Sequence, residues 1–382
     1  MRIALIAEDY YPQLGGVPEH VHNLALQLIS WGHHVHVITA RMRGANADAP
    51  FVRRVGTSLV IYSNGGVARI TVGWRLQRQL EDLFRAERYD VVHVHGGLAP
   101  TFGVVAPLAA WQLGIPVVAT FHSWFPRSVG YRVFRPIFQR LLDRHAAAIA
   151  VSAPVVEAMS RYVHADWEII PNGVNTQFFQ PNGRRAIDAL RRGPRLLFLG
   201  RLEPRNGLNV ILEAMPHILR RFPNAVLTVA GDGPWRGYYE RRARGLGLGE
   251  GGRVRFVGRV FQERPLLYAA ADLYLCPTTR ASFGVTLLES MACGTPMVLA
   301  DNVGFRSVVR EGREAVFLSD QRPDVWADTV TGLVADVERR SAMQRAGLER
   351  AAEFAWPKVA RRELAVYERV TGVSEERAIR TA

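Results

Sequence analysis

The run Ala271-Asp272-Leu273-Tyr274-Leu275-Cys276-Pro277-Thr278-Thr279-Arg280-Ala281-Ser282-Phe283-Gly284-Val285-Thr286-Leu287-Leu288-Glu289-Ser290-Met291-Ala292-Cys293-Gly294-Thr295-Pro296 reads as strand, loop and helix in direct succession. Ala271 to Pro277 is a short apolar run closed by proline, the pattern of a buried strand. Thr278 to Ser282 is polar loop. From Val285 to Cys293 the apolar residues recur at helical spacing, and Gly294 with Pro296 stops them. A helix starting near Gly284 points its first free N–H groups, and the positive end of its dipole, into that loop. This is a site for an anion such as a diphosphate. Glu289, about one turn further in, is the only acid on a face of Val, Leu, Met and Ala. Its carboxylate suits two sugar hydroxyls; the alternative is a structural glutamate that caps a backbone or pairs with an arginine.

Outward from this unit the same alternation appears twice. Strand-like runs at Arg2 to Ala7, His34 to Thr39, Val91 to His95 and Val117 to His122 are separated by helical segments. A second set follows at Arg195 to Leu199, Ala225 to Ala230, Val254 to Val257, Asp272 to Cys276 and Pro296 to Ala300. Such alternation predicts an α/β protein with parallel sheets covered by helices. A chain of 382 residues, 48% hydrophobic, has material for two domains with real cores. The proline and turn cluster Glu168-Ile169-Ile170-Pro171-Asn172-Gly173-Val174-Asn175 is the expected hinge, with the first domain ending at 171 and the second beginning at 172.

The net charge of +13 favours an anionic partner. Lys358 is the only lysine among the 48 Lys and Arg residues, and arginine spread over both halves is not a nucleic-acid stripe. Two basic groups are local and carry apolar neighbours. Arg41, Arg43, Arg53, Arg54, Arg69, Arg75 and Arg78 accompany Phe51, Val52, Trp74 and Leu76. Arg127, Arg132, Arg135, Arg140 and Arg144 accompany Trp124, Phe125, Tyr131, Phe134, Phe138 and Leu141. Each suits an anionic membrane surface, or else a solvated helix whose apolar side enters the core. Pro107, Gln112, Gly114 and Pro116 interrupt the longest apolar stretch, Val104 to Phe121, and acids follow the first strand too early for a signal peptide. Membrane contact is therefore expected to be peripheral, and Cys276 and Cys293, in apolar surroundings, are expected to be reduced core thiols of a cytoplasmic protein.

Ligands of open parallel sheets collect beyond the carboxyl ends of the strands. After the first strand come Gly15 and Gly16, opening a helix. His93, His95, Gly96 and Gly97 end the third, and Thr120-Phe121-His122-Ser123 the fourth. A histidine at such an edge can donate to a sugar or phosphate, and His122 is the stronger candidate. In the second half Arg201 follows Phe198-Leu199-Gly200 and can neutralise a diphosphate. Gly231-Asp232-Gly233-Pro234 follows another strand, but its spacing and Pro234 argue against a dinucleotide fingerprint.

Taken in order, Leu14-Gly15-Gly16-Val17, Val94-His95, Ala119-Thr120-Phe121-His122, Ile170-Pro171-Asn172-Gly173-Val174, Phe198-Leu199-Gly200-Arg201, Ala230-Gly231-Asp232-Gly233-Pro234 and Ser282-Phe283-Gly284 through Glu289 resemble a family-4 retaining glycosyltransferase of GT-B type. Asn64-Gly65-Gly66-Val67-Ala68-Arg69 is similar to the acceptor-side segment of phosphatidylinositol mannosyltransferases within that family. The resemblance implies two Rossmann-like domains whose parallel sheets face an interdomain cleft. It also implies a C-terminal helix, within 356–375, that returns to the first domain, with 376–382 as a tail. It implies transfer of a hexose such as mannose from a GDP- or UDP-linked nucleotide sugar, used as substrate, to a hydroxylated acceptor such as an anionic lipid head group. By position, Gly231, Gly233, Phe283, Gly284, Val285, Thr286, Leu287 and Glu289 belong to the donor site, with Glu289 on the ribose and the amides of Gly284 to Leu287 on the diphosphate. Arg201 neutralises the leaving group, Gly16 and His122 border the sugar, and Asn64 and Arg69 face the acceptor. Consistent with metal-independent, cofactor-free transfer, the chain carries no Asp-x-Asp pair.

Two positions depart from the family pattern. The acid expected eight positions before Glu289 is Ala281, and the lysine expected after Arg201 is Asn206. A methyl group accepts no hydroxyl hydrogen bond and an amide carries no charge, so together the losses cost on the order of several kcal/mol of transition-state stabilisation. Arg205, beside Asn206, is not expected to substitute, because neighbouring side chains point apart. Alternative readings are a GT-B protein that binds nucleotide or a partner without transferring sugar, and a nucleotide-sugar 2-epimerase.

Overall fold

The computed structural model of the protein describes residues 1–13, 15–42, 49–63, 66–98, 101–182 and 193–373. They divide into two compact units, Met1–Gly173 with Trp356–Ala382, and Val174–Ala355. Asn64 and the tail 376–382 lie outside the described residues.

In the first unit the strands are β1 (Arg2–Ala7), β2 (His34–Arg41), β3 (Val52–Ser63), β4 (Gly66–Val72), β5 (Val91–His95), β6 (Val117–Phe121), β7 (Ala147–Ala150) and β8 (Trp167–Ile169). Helices α1 (Gly16–Ser30), α2 (Leu76–Glu87), α3 (Phe102–Gln112), α4 (Val129–Val133), α5 (Arg135–Leu142) and α6 (Ala153–Ser160) lie between them. The sheet order is β4-β3-β2-β1-β5-β6-β7-β8, parallel except for the β3–β4 pair. The central strands are apolar almost throughout because both faces are covered. On β1, Ile3, Leu5 and Ala7 join a core with α1, while Ala4 and Ile6 join another with Leu80 of α2 and Ala106 of α3, the period-two alternation of a strand.

The second unit continues with β9 (Arg195–Leu199), α7 (Leu208–Arg221), β10 (Val226–Ala230), α8 (Arg236–Gly245), β11 (Val254–Gly258), α9 (Arg264–Ala270) and β12 (Leu273–Cys276). There follow α10 (Val285–Ala292), β13 (Met297–Ala300), α11 (Val303–Arg306), β14 (Ala315–Leu318), α12 (Pro323–Ala335) and α13 (Val337–Glu353). Its all-parallel sheet runs β11-β10-β9-β12-β13-β14. The last helix, α14 (Trp356–Thr371), belongs to the first unit, where Val359, Ala360, Leu364 and Tyr367 complete the α1-side core.

Every strand-like run of the sequence is a strand here; β1, β5 and β9 match to the residue and the others have an end shifted by one or two residues. The first basic group contains something sequence reading did not assign: β3 and β4 form an antiparallel hairpin, Thr57 facing Val72 and Ser63 facing Gly66. Arg53, Arg54 and Arg69 are thus strand residues at a sheet edge, where polar side chains are tolerated on the outer face. Arg132, Arg135 and Arg140 of the second basic group fall on α4 and α5, where Leu142 is buried and the half-buried rings of Tyr131, Phe138 and Phe125 pack together while other apolar side chains face outward. Val129, Val133, Phe134 and Ile137 are exposed, among the equally exposed Arg132, Arg135 and Arg140. Among the described residues no helix is long and apolar enough to cross a membrane. Cys276 and Cys293 are buried and unbridged, and burial pushes both thiols above their ordinary pKa.

Candidate functional site

Strand order in the second unit reverses between β9 and β12, the position at which open parallel sheets leave a crevice at their carboxyl ends. Three loops meet the solvent there. The loop after β9 carries Arg201 to Asn206, the loop after β10 carries Gly231 to Pro234, and the loop after β12 leads into α10.

Gly284 caps α10 with φ +116°, and a Cβ there would lie 2.9 Å from the Phe305 ring, so both conformation and space require glycine. No side chain caps the helix, which leaves its first N–H groups available to an anion. Leu287 is a correction to the expected set: its amide donates to the Gly284 carbonyl at 3.0 Å, and its side chain is fully buried. The tightened first turn leaves Gly284, Val285 and Thr286. The Phe283 ring is buried, 6.1 Å from that of Phe354.

Glu289 is 1% exposed and sits in the pairing that the sequence left open as the alternative to ribose binding. Arg264 Nη1 donates to Oε1 at 2.6 Å and the Tyr268 hydroxyl donates to Oε2 at 3.1 Å. Arg264 itself lies over Phe179 and Phe261. Burial, then the Glu289 charge, pushes the Tyr268 phenol well above its ordinary pKa, so it remains a donor.

At the end of β9, Arg205 comes close to Arg201 through a shared acid. Arg201 Nη2 and Arg205 Nε bind the two oxygens of Glu203 at 3.0 and 2.9 Å, so the arginines converge although their backbones are four residues apart. The three-residue 3₁₀ turn Pro204–Asn206 brings them together, and both side chains are more than half exposed. Asn206 carries no charge but ties the site: Nδ2 donates to the Arg201 carbonyl at 2.7 Å, and Thr278 donates to its Oδ1 at 3.5 Å. Gly231 and Gly233 have packing reasons of their own. A Cβ on Gly231 would lie 2.0 Å from the Gly200 oxygen and one on Gly233 2.6 Å from the Leu202 oxygen. Ala281 is half-buried, its carbonyl packed against Gly304.

In the first unit Gly16 is exposed at the start of α1. His122, half-buried after β6, lies 3.2 Å (Nε2) from Nδ1 of His95. Burial, then neighbouring histidines, holds both rings well below the ordinary imidazole pKa, so each is neutral. Arg69 on β4 reaches Asp9, just beyond β1, at 3.5 Å. Glu8, which sequence reasoning passed over as a mere acid after a strand, accepts from the Thr71 hydroxyl and from the Phe102 amide at 2.7 Å. It thereby joins β4 and α3 to the end of β1, and burial raises its pKa to about 7. Its place at a strand's carboxyl end was the one signal available.

A family profile described as Glycosyltransferase Family 4 matches residues 14–178, and one described as Glycosyl transferases group 1 matches residues 193–336. The phosphatidyl-myo-inositol mannosyltransferase of Mycobacterium tuberculosis is 33% identical over 380 residues, covering 97% of this chain and 98% of the relative. A GDP-mannose-dependent alpha-(1-6)-phosphatidylinositol monomannoside mannosyltransferase of the same organism is 27% identical, covering 91% and 93%. Among solved structures, sucrose-phosphate synthase from Thermosynechococcus elongatus superposes with a TM-score of 0.76 at 23% identity, covering 98% of this chain and all of that one. Anabaena HepE, in complex with UDP and glucose, superposes at 0.74 with 19% identity, covering 96% and 98%. At these identities the structural likeness is one of fold, and that fold is GT-B. The relatives favour neither the non-transferring reading nor the epimerase.

Proposed function

The chain belongs to glycosyltransferase family 4, and from that premise we propose that it moves a mannosyl group from a GDP- or UDP-linked donor to a hydroxyl of an anionic phosphoinositide head group, with retention. Its activity as a glycosyltransferase follows from the full-length similarity to mannosyltransferases; the substrates and residue roles are our assignment. The observation that carries the donor half is the convergence of Arg201 and Arg205 on Glu203, tied through Asn206 and Thr278 to the loop that opens α10.

When the glycosidic bond breaks, negative charge grows on the leaving diphosphate. Arg201 and Arg205, with the amides of Gly284, Val285 and Thr286, meet that charge with dipoles and cations already in place, the electrostatic term that usually dominates such catalysis. Arg205 thereby supplies the cation that Asn206 does not. Glu289, oriented by Arg264 and Tyr268, accepts ribose hydroxyls, while Gly231 and Gly233 admit the nucleotide close to backbone. On the first unit Gly16 and neutral His122 border the transferred sugar. Arg69, steadied by Asp9, faces the acceptor phosphate; Asn64 is assigned to the same acceptor.

For access to a lipid acceptor we assign the exposed apolar and arginine side chains of α4 and α5 to peripheral contact with the cytoplasmic face of an anionic membrane. The test is incubation of the purified protein with GDP-mannose, UDP-glucose or UDP-N-acetylglucosamine and vesicles containing phosphatidylinositol. A mannosylated lipid with the donor's anomeric configuration is expected. Absence of transfer from every donor would overturn the assignment.

A further inference from the structure

Three histidines of the first unit converge from three elements. His20 lies on α1, His95 ends β5 and His122 follows β6, and one ring nitrogen of each lies within 4.8 Å of the others. His20 and His95 are buried, while His122 is half-buried and gives the group its route to solvent.

The surroundings are those of a metal-binding shell. His20 Nδ1 is bonded to Asn172 Oδ1 at 3.0 Å, which fixes the proton on Nδ1 and leaves the Nε2 lone pair free, as outer-shell carbonyls do for ligating histidines. Nε2 of His20 and Nε2 of His95 are buried without a hydrogen-bond partner. So are both oxygens of Glu363, a fully buried acid of α14 whose Oε1 stands 3.5 Å from His20 Nε2 and whose Oε2 stands 3.7 Å from His93 Nδ1. Bare buried acceptors are costly. His93 does not relieve them, being engaged with Tyr367 and Thr120 at 2.6 and 2.7 Å. The group is short of a cation.

We propose that His20, His95 and His122 bind one divalent transition-metal ion of the zinc class, with the Glu363 carboxylate as its neutralising charge, and that the ion inhibits the enzyme by occupying His122. The inhibitory part rests on the assignment of His122 to the sugar; the binding part does not. Three nitrogens within 4.8 Å lie at most about 2.8 Å from a common centre, so closing to the ~2.0–2.1 Å of a zinc–imidazole bond moves each ring by about 0.7 Å. Imidazole selects zinc, nickel, cobalt or copper over magnesium and calcium.

A second group, His34, His36 and Glu87, competes in principle, but arginines already occupy it: Arg53 lies 3.0 Å from His36 and Arg2 3.0 Å from Glu87. The experiment therefore uses the full chain carrying His34→Ala. Equilibrium dialysis against Zn²⁺ at tens of micromolar is expected to show about one bound ion, and His20→Gln or His95→Gln in that background to weaken binding at least tenfold. X-ray absorption of the Co²⁺ form needs no further variant and is expected to show an imidazole shell. Zn²⁺ is expected to stop transfer and EDTA to restore it. No bound ion, a spectrum without imidazole scattering, or binding unchanged in both glutamine variants overturns the proposal, whatever the donor and acceptor prove to be.

Discussion

Replacing Arg264 by methionine isolates the interaction on which the second unit's helix α10 depends. Arg264 Nη1 stands 2.6 Å from Glu289 Oε1, with side chains 9% and 1% exposed. At the surface such a pair contributes about 0–1 kcal/mol. Buried, its loss leaves the Glu289 charge without its arginine, with the Tyr268 hydroxyl still donating to Oε2, and the expected cost is about 3–5 kcal/mol. Methionine keeps much of the contact with Phe179 and Phe261, so most of that cost is electrostatic. Urea unfolding followed by circular dichroism reads it directly. With m near ~2 kcal/mol/M, the midpoint falls by about 1.5–2.5 M at unchanged slope. The double variant Arg264→Met, Glu289→Met is expected to recover most of the loss, because no bare carboxylate remains. A single-variant loss below about 1 kcal/mol, or a double variant no more stable than the single, would refute the buried-pair reasoning.

Burial raises the Glu8 pKa from 4.5 to about 7, so the folded chain holds this proton more tightly than the unfolded. Its contribution to stability therefore falls as pH rises from about 4.5 to 7, by at most about 3 kcal/mol, and Glu8→Gln should flatten that slope in urea midpoints measured across the range. His93, lowered to about 4 by burial, acts oppositely: its contribution is lost as pH falls from 6.5 toward 4, and His93→Gln should reduce acid lability over that window. Ala281→Glu restores a hydrogen-bond acceptor and is expected to raise kcat/KM about tenfold or more; an unchanged value in a folded variant would remove Ala281 from the sugar site. Gly231→Ala, whose Cβ would meet the Gly200 oxygen at 2.0 Å with φ +128°, is expected to lose at least about 3 kcal/mol. Gly247→Ala, at φ +72° with open space around it, should lose only about 1 kcal/mol, and equal losses would show that contact distance is not what decides.

The sequence alone determined the alternation of strands and helices, because hydrophobic period, proline and glycine act within a few residues of where they stand. It placed β5 and β9 to the residue, and it placed the glycine that starts α10, since each depends on local backbone geometry. It passed over the β3–β4 hairpin, whose polar edge lacks the apolar signal of a covered strand. It also pointed to loops beyond strand ends and to a helix start as the places for candidate residues, without saying which side chains meet. Those meetings were decided by tertiary structure. Glu289 finds Arg264 25 residues away; Arg201 and Arg205 converge only because a 3₁₀ turn folds them onto Glu203; His93 bonds Tyr367 across 274 residues of chain. The physical reason is one of range: conformational preference is a property of neighbours in sequence. Charge pairing, desolvation and the crowding of histidines around Glu363 depend instead on neighbours in space, which only the packed sheets and helices supply.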